Sequence, residues 1–283
     1  MQGDQAKEKT YYFKQNIGVI NDIEAYVSAK FRRLLGKQRV GRCKAVYFGG
    51  MRRGVVSREI PAFITLRQIL DADEYDPRIT TAALIKAGYG RIETANYVLA
   101  NPDAHWNNVG YTENNILAVI DFDWVMPDVI LKHKGFKPES VLRKNFPPVK
   151  DMYVVTTRDL INLPLLTDAR PFNGLCHEYL TDEMEEELEE FKDDPDFIFD
   201  KWYTCFLYLL TEGLHESLAE QYLSSENIRR EIFQFELKRK KQLQNALLQI
   251  PQFVSFIVDN DLLNRIKSEL QEHAKSLLWA SHN

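Results

Sequence analysis

The chain has 283 residues, of which 45% are hydrophobic and 12% aromatic, so it is long enough to bury a substantial core. Its 36 Lys and Arg residues and 41 Asp and Glu residues give a net charge of -5, which argues against a general nucleic-acid-binding protein. No apolar run approaches the length of a membrane-spanning helix. We therefore expect a folded protein with no transmembrane segment and no nucleic-acid partner.

The N-terminus and the cysteines bear on the cellular compartment. The first ten residues contain no apolar segment of the kind found in signal peptides, so no secretory signal is predicted. Cys43, Cys176 and Cys205 form no Cys-x-x-Cys pair, which argues against a zinc site and against a disulfide framework. These features indicate a reducing cytosol.

The first sixty residues predict a small α/β unit. An aromatic strand at 10–16 precedes a helix that ends at Leu35, for which Asn21 is the expected N-cap and Glu24 the N3 residue. Two further strands are expected at 44–48 and 54–57, joined by a turn at 49–53. Pro61 interrupts the chain at 59–63, which predicts a connector between two lobes.

The rest of the chain is predominantly helical in pattern, with one hairpin, 107–110 and 117–121, in its first part. The segment 127–152 is expected to be irregular, and Pro251 separates the last two helices. Helices are predicted at 65–72, 78–88, 91–100, 181–193, 197–212, 214–222, 226–249 and 258–280. This order predicts an α+β, bilobal protein with an N-terminal lobe at 1–60 and a helical lobe at 61–283, in which a catalytic-type loop occupies 101–123.

The most informative segment is Asp-Ala-His-Trp-Asn-Asn at 103–108, followed by a hydrophobic strand that ends in Asp121-Phe122-Asp123. Asp103 and Asn108 alone are also typical of a turn. A carboxylate at the end of a buried strand, however, is costly unless it is paired or bound to a metal. The two motifs together therefore favour a functional site.

These motifs, together with the Tyr-Phe-Lys-Gln strand at 12–15, the helix at 24–36 and the segment 54–61, resemble the protein-kinase-like fold in its aminoglycoside-phosphotransferase and HipA-like branches. They look closest to the divergent kinase-like effectors that intracellular bacterial pathogens inject into host cells. The resemblance implies a bilobal kinase-like fold and a bacterial protein translocated to the host cytosol, with peripheral membrane association as an alternative. The helical remainder resembles no family that we can name.

The resemblance also implies a reaction with ATP and Mg²⁺, or Mn²⁺ in its place. Lys14 would contact the α- and β-phosphates, and Glu24 would pair with Lys14. Asp103 would be the catalytic base or would orient the acceptor hydroxyl. Taken by itself, Lys14 is typical of an ordinary edge-strand lysine, and Glu24 is typical of a residue that caps a helix.

Further roles follow from the same resemblance. Asn108 and Asp121 would bind the metal, and Asp123 could be a second metal ligand. His105 would brace the loop. The connector residues Glu59, Ile60 and Ala62 would supply backbone hydrogen bonds to adenine.

The chain departs from the kinase pattern before Lys14. A glycine-rich loop that covers the phosphates is expected there, but the preceding residues contain only one glycine, Gly3. Two other functions therefore remain open: a pseudokinase that binds a host protein or an inositol phosphate, and a kinase-fold enzyme that transfers the nucleotide. A HipA-type regulator is a weaker alternative, because no DNA-binding element is evident. The hydroxyl acceptor, whether a protein, a lipid or a small molecule, is not determined.

Charge is unevenly distributed along the chain. Ten Lys or Arg residues and no acid lie between Lys30 and Arg58, whereas 181–200 carries eleven acids and one lysine. Clustered arginines suit bidentate contacts with phosphate. The basic run is therefore either a solvated surface or a polyanion site for an inositol polyphosphate or a phosphoinositide. The five candidate residues of such a site are Arg32, Arg33, Lys37, Arg52 and Arg53.

Overall fold

A computed structural model describes residues 10–15, 18–49, 51–73, 75–101, 103–135, 154–164, 189, 191–210 and 212–259. The chain combines two three-stranded sheets with a majority of helix, so the predicted α+β class is confirmed. Within these ranges, no helix has both the length and the apolar character that crossing a membrane requires. Cys43 and Cys205 are buried free thiols, and Cys176 lies outside the described residues.

The first sheet contains β1 (Tyr11–Lys14), β2 (Cys43–Phe48) and β3 (Met51–Arg58), in the antiparallel order β1-β3-β2. The third strand begins earlier than predicted, so the expected turn at 49–53 is shorter. Lys14 is opposite Val55, and Val55 is opposite Ala45, so the three side chains share one face. Val55 is buried, which identifies this face as the inner one.

Helix α1 (Ile20–Leu35) packs against this inner face and is buried on nearly every side. The prediction that Asn21 is the N-cap was wrong, because Val19 occupies that position and the helix begins two residues earlier than predicted. The Asn21 side chain instead donates to the Gly18 carbonyl at 3.2 Å. Glu24 therefore lies inside the helix, on its buried surface, and is only 3% exposed.

The second sheet joins the connector to the predicted hairpin. It contains β4 (Ile64–Thr65), β5 (Val109–Tyr111) and β6 (Leu117–Val119), again antiparallel. Helices α2 (Leu66–Ala72) and α4 (Tyr89–Leu99) pack beside it, and the short helix α3 (Thr81–Lys86) packs against α4. The single helix predicted at 78–88 was wrong: a 3-10 turn at Pro77–Ile79 precedes α3, and Gly88, with φ of 92°, ends the helical run.

The described residues of the C-terminal part of the chain are mostly helical. Its described helices are α5 (Pro127–His133), α6 (Thr157–Asn162), α7 (Pro195–Leu210), α8 (Glu212–Tyr222), α9 (Glu226–Leu247) and α10 (Pro251–Asp259). The expectation that 127–152 is irregular was wrong at its start, because Pro127 opens a helix, as proline does at a first helical position. Pro251 likewise opens α10. Residues 260–280 of the last predicted helix, and most of 181–193, lie outside the described residues.

One hydrophobic core joins the N-terminal sheet to the helices. It includes Phe31 of α1, Val55 of β3, Ile92 of α4 and Cys205 of α7. Phe31 packs against Phe122, with ring centroids 4.7 Å apart. Because Phe122 lies between Asp121 and Asp123, this contact fixes the acid pair relative to α1.

Candidate functional site

Three distant parts of the chain converge on the ammonium group of Lys14. Its Nζ lies 2.6 Å from Asp121 Oδ1, 3.0 Å from Asp123 Oδ2 and 4.0 Å from Glu24 Oε1. Lys14 and Asp121 are separated by 107 positions in the sequence, so only the fold brings them together. The lysine, its helical glutamate and the acid pair are thus assembled at one place.

Local structure explains why each group points there. Lys14 is the last residue of β1 and faces inward, and Glu24 projects from the buried surface of α1. Asp121 follows the fully buried strand β6 and has a φ of 59°, in the left-handed region that Asp and Asn tolerate better than most residues. This backbone turn directs both carboxylates of the pair toward Lys14.

The loop at 103–108 forms the second half of the site. Asn108 Nδ2 donates to Asp103 Oδ2 at 3.1 Å and to the Asp103 carbonyl at 2.9 Å, and it lies 3.2 Å from His105 Nε2. The Ile120 amide donates to the Asn108 carbonyl at 2.9 Å, which ties this loop to the acid pair. His105 lies beside both residues, and its role as a brace for the loop stays a prediction.

Charge within the site shifts two pKa values. Burial lowers the pKa of Lys14, but Glu24, Asp121 and Asp123 outweigh it and raise the pKa above its ordinary value, so the amine stays protonated. Burial, with the nearby charges of Asp121 and Asp123, raises the pKa of Asp103, and His105 opposes this shift. A carboxylate with a raised pKa is a better proton acceptor than an ordinary aspartate.

Asp103→Asn is expected to increase the free energy of unfolding at pH 7 by about 0.5 to 2 kcal/mol. The raised pKa means that the charged carboxylate destabilises the folded state. This cost is absent below the ordinary Asp pKa, grows as pH rises from that value to the folded-state pKa, and is constant above it. Urea unfolding at pH 4 and pH 7 measures the difference. The gain should be larger at pH 7, and Asp71→Asn, on the exposed surface of α2, is the matched control.

The expected magnesium ligands fit the ion's known preferences. Among the described residues, no group of three or more His, Cys, Asp and Glu side chains is arranged to hold a metal ion. Mg²⁺ in phosphotransfer sites is, however, usually held by one or two carboxylates together with substrate phosphates. Asp121 and Asp123, which both contact one ammonium group, lie close enough to share a divalent cation, and the Asn108 loop is hydrogen-bonded beside them.

In the connector at 59–62, some backbone groups are hydrogen-bonded to other described residues and some are not. The Glu59 amide donates to the Thr10 carbonyl, and the Pro61 carbonyl accepts from Glu113, so these groups are already used. Within the part of the chain that the structure describes, the amides of Ile60 and Ala62 make no backbone hydrogen bond. These two amides are the ones that could pair with the edge of a base.

Three of the five candidate polyanion residues, Arg32, Arg33 and Lys37, have described side chains. Arg32 Nη1 donates to the carbonyl of Val40 at 2.5 Å, and Arg33 is half-buried. The side chains of Arg52 and Arg53 lie outside the described residues. Of the three described side chains, those of Arg32 and Lys37 line a cavity of about 660 Å³ that Glu59, Ile60 and Pro61 of the connector also line.

Sequence reasoning missed several residues at these sites. Arg42 and Arg58 line the same cavity, and Lys134 Nζ lies 3.4 Å from Asp123 Oδ2. Tyr12 shares the inner face of β1 with Lys14, which the two-residue period of the strand could have indicated. No sequence signal points to Lys134, because its contact depends on the path of α5.

No model of a known protein family matches this chain, and no curated protein matches it either. The assignment of function therefore depends on the motifs and on the geometry of the site.

Proposed function

We propose that the protein is an atypical kinase that transfers the γ-phosphoryl group of ATP to a hydroxyl acceptor. The observation that carries the proposal is the convergence of Lys14 with Glu24 and Asp121. In protein kinases a lysine–glutamate ion pair and a metal-binding aspartate must both be in place for activity. The chain supplies all three groups from a strand, the following helix and a distant hairpin.

The residues have complementary tasks in this reaction. Asp103, with its raised pKa, accepts the proton of the acceptor hydroxyl, and Asn108 holds the Asp103 carboxylate in position through its side-chain amide. Lys14 exchanges its contacts with Asp121 and Asp123 for the phosphates when the nucleotide enters. Mg²⁺ held by Asn108, Asp121 and Asp123 would neutralise the charge that develops on the phosphates.

The bilobal kinase-like arrangement is part of the same proposal. It is supported by the order of the elements: a small antiparallel sheet with one buried helix, a connector at 59–63, and then a mostly helical remainder. A role as a translocated bacterial effector acting in the host cytosol is supported by the sequence resemblance alone. The acceptor is a hydroxyl of a protein, a lipid headgroup or a small molecule.

Magnesium-dependent binding of ATP tests the proposal without knowledge of the acceptor. Calorimetric titration of the folded protein with ATP should give saturable binding that weakens when Mg²⁺ is omitted, because the site gathers two carboxylates in addition to Lys14. A folded protein that binds no ATP with Mg²⁺ or Mn²⁺ would contradict both the kinase and the nucleotide-transfer functions. Binding without any turnover would support the pseudokinase alternative.

A second candidate function is polyanion binding in the cavity of about 660 Å³ that the connector helps to line. Four cationic side chains line it, namely Arg32, Lys37, Arg42 and Arg58. Burial and the nearby Arg42 guanidinium lower the pKa of Arg32, so like charges are crowded there. A phosphate-rich ligand such as an inositol polyphosphate or a phosphoinositide headgroup would relieve this repulsion. The side chains that support the proposal thus differ in part from those that the sequence singled out.

Arg58→Ala is expected to weaken binding of inositol hexakisphosphate about 10- to 100-fold, because a charged hydrogen bond contributes roughly 1.5 to 3 kcal/mol. Calorimetry at two salt concentrations measures the effect, which should shrink as salt rises. Arg230→Ala, on the exposed surface of α9, is the control and should leave affinity unchanged. Vesicles that carry a phosphoinositide test whether the ligand is bound as a lipid headgroup. An equal loss of affinity in Arg58→Ala and Arg230→Ala would contradict the assignment of the site.

A further inference from the structure

The first sheet has a second face, opposite the one that α1 covers. Among the described elements, the contacts of this sheet with helices are made mainly with α1, on the inner face. Because side chains alternate along a strand, every second residue of each strand projects from the opposite side, which we call the outer face. Its side chains include Phe13, Lys44, Val46, Phe48, Met51 and Val56.

Two large apolar side chains lie at the end of this face, beside the turn between β2 and β3. Phe48 and Met51 are the last cross-strand pair of the hairpin, so both project from the same side. Tyr47 donates its hydroxyl to Asp22 of α1 at 2.7 Å, which directs Tyr47 to the inner face and its neighbour Phe48 to the outer one. Phe48 is 73% exposed and Met51 is 58% exposed. The fold itself therefore buries little of either side chain.

The apolar surface continues from the turn onto β1. The ring of Phe13 lies close over Gly54 of β3, because a Cβ added to Gly54 would lie 2.5 Å from a ring atom. Glycine at this position thus leaves room for the ring along the sheet, yet Phe13 remains 58% exposed. Val46 and Val56 are partly exposed on the same face. The outer face therefore presents apolar side chains from all three strands.

The charges on the outer face are of one sign. Lys44 and Arg58 are exposed there, and in the part of the chain that the structure describes neither side chain forms an ion pair. They belong to the stretch 30–58, which carries ten cations and no acid. At the rise of a β-strand, Lys44 lies about 13 Å from Phe48 along β2. The cations thus lie behind an apolar tip.

We propose that the β2–β3 hairpin docks the protein on an anionic lipid bilayer, with Phe48 and Met51 at the boundary of the acyl chains and Lys44 among the headgroups. Elements that lie at a membrane surface bury their apolar side chains about 5 to 10 Å into this boundary, and their cations attract anionic lipids. The spacing of about 13 Å between tip and cation suits this arrangement. The uniformly positive charge favours an anionic bilayer over a neutral one. The inference adds a site to the proposed function and does not depend on phosphoryl transfer.

Co-sedimentation with phosphatidylcholine vesicles, with and without phosphatidylserine, tests the proposal. The double variant Phe48→Ser with Met51→Ser should bind phosphatidylserine vesicles at least about tenfold more weakly than the wild type, because both apolar side chains are lost from the bilayer. Lys44→Ala should weaken this binding about fivefold. Phe233→Ser is the matched control, because Phe233 is an exposed aromatic residue of α9, and it should bind like the wild type. Thermal melts check that each variant is folded.

Phe48→Trp reports insertion directly. This variant should keep its affinity for the vesicles, and lipids with brominated acyl chains should quench its fluorescence more than that of the wild type. Wild-type protein that does not bind phosphatidylserine vesicles, or that binds neutral vesicles equally well, would overturn the inference. So would an equal loss in Phe233→Ser, or an absence of added quenching in Phe48→Trp. Binding that the double variant retains and that inositol hexakisphosphate abolishes would assign the membrane contact to the cavity instead of to the hairpin.

Discussion

Asp121→Asn is expected to reduce γ-phosphoryl transfer at least about 10³-fold while the protein stays folded. The substitution removes the negative charge that holds the metal and neutralises one of the two carboxylates 3.0 Å or less from Lys14 Nζ. Asparagine is the appropriate replacement because residue 121 has a φ of 59°, and Asn tolerates this conformation. The expected loss is therefore chemical and not a consequence of backbone strain.

Transfer from γ-labelled ATP in host-cell lysate measures this effect, with circular dichroism melts of both proteins as the folding control. Asp128→Asn is a matched substitution in the nearby helix α5, whose aspartate makes no contact with Lys14 among the described residues. It should retain near-normal transfer. An Asp121→Asn protein that keeps more than about a tenth of wild-type transfer would exclude a catalytic metal site at Asp121.

The largest effect on stability is expected from Glu236→Gln, at about 3 to 5 kcal/mol of unfolding free energy. Glu236 of α9 is buried and accepts hydrogen bonds from Lys30 Nζ and, at 2.8 Å, from Tyr26 Oη, both on α1. Burial lowers the pKa of Lys30, and the Glu236 carboxylate opposes that shift. Loss of the carboxylate leaves a buried ammonium group without its compensating charge.

Urea unfolding of Glu236→Gln and of the double variant Lys30→Met with Glu236→Leu measures the contribution of this pair. The double variant should recover a large part of the lost stability, because replacing a buried ion pair with apolar groups removes the desolvation cost of both ions. A loss below about 1 kcal/mol in Glu236→Gln would show that water or a nearby group compensates Lys30. The pair joins α1, which carries Glu24, to α9, so it also fixes the helix on which Glu24 depends.

The sequence predicted which side chains lie together at the site better than it predicted the boundaries of the elements that carry them. Asp103, Asn108 and Asp121 could be recognised because each motif lies within a short stretch of the sequence. In the fold, a hydrogen bond from the Ile120 amide to the Asn108 carbonyl joins the two loops. Asn21 was misassigned as a cap because a capping pattern can also occur within the first turn of a helix. There the buried packing of α1 decides where the helix begins, and propensity does not.

The residues that the sequence did not reveal depend on long-range contacts. Arg42 and Arg58 meet Arg32 only because β2, β3 and α1 pack together, and a basic run in the sequence cannot show which of its ten cations face one cavity. Lys134 reaches Asp123 because α5 begins at Pro127, in a segment whose prolines suggested irregular structure. Tertiary packing determined both outcomes.

The most direct test of the kinase function is to follow the label from ATP labelled at the γ-phosphate and, in parallel, at the α-phosphate, with Mg²⁺ and host-cell lysate. The arrangement of Lys14, Asp103 and Asp121 predicts that only the γ-label reaches an acceptor, with ADP as the nucleotide product, and that addition of inositol hexakisphosphate does not change which phosphate is transferred. Transfer of the α-label, with release of pyrophosphate, would contradict the account and assign the site to nucleotide transfer.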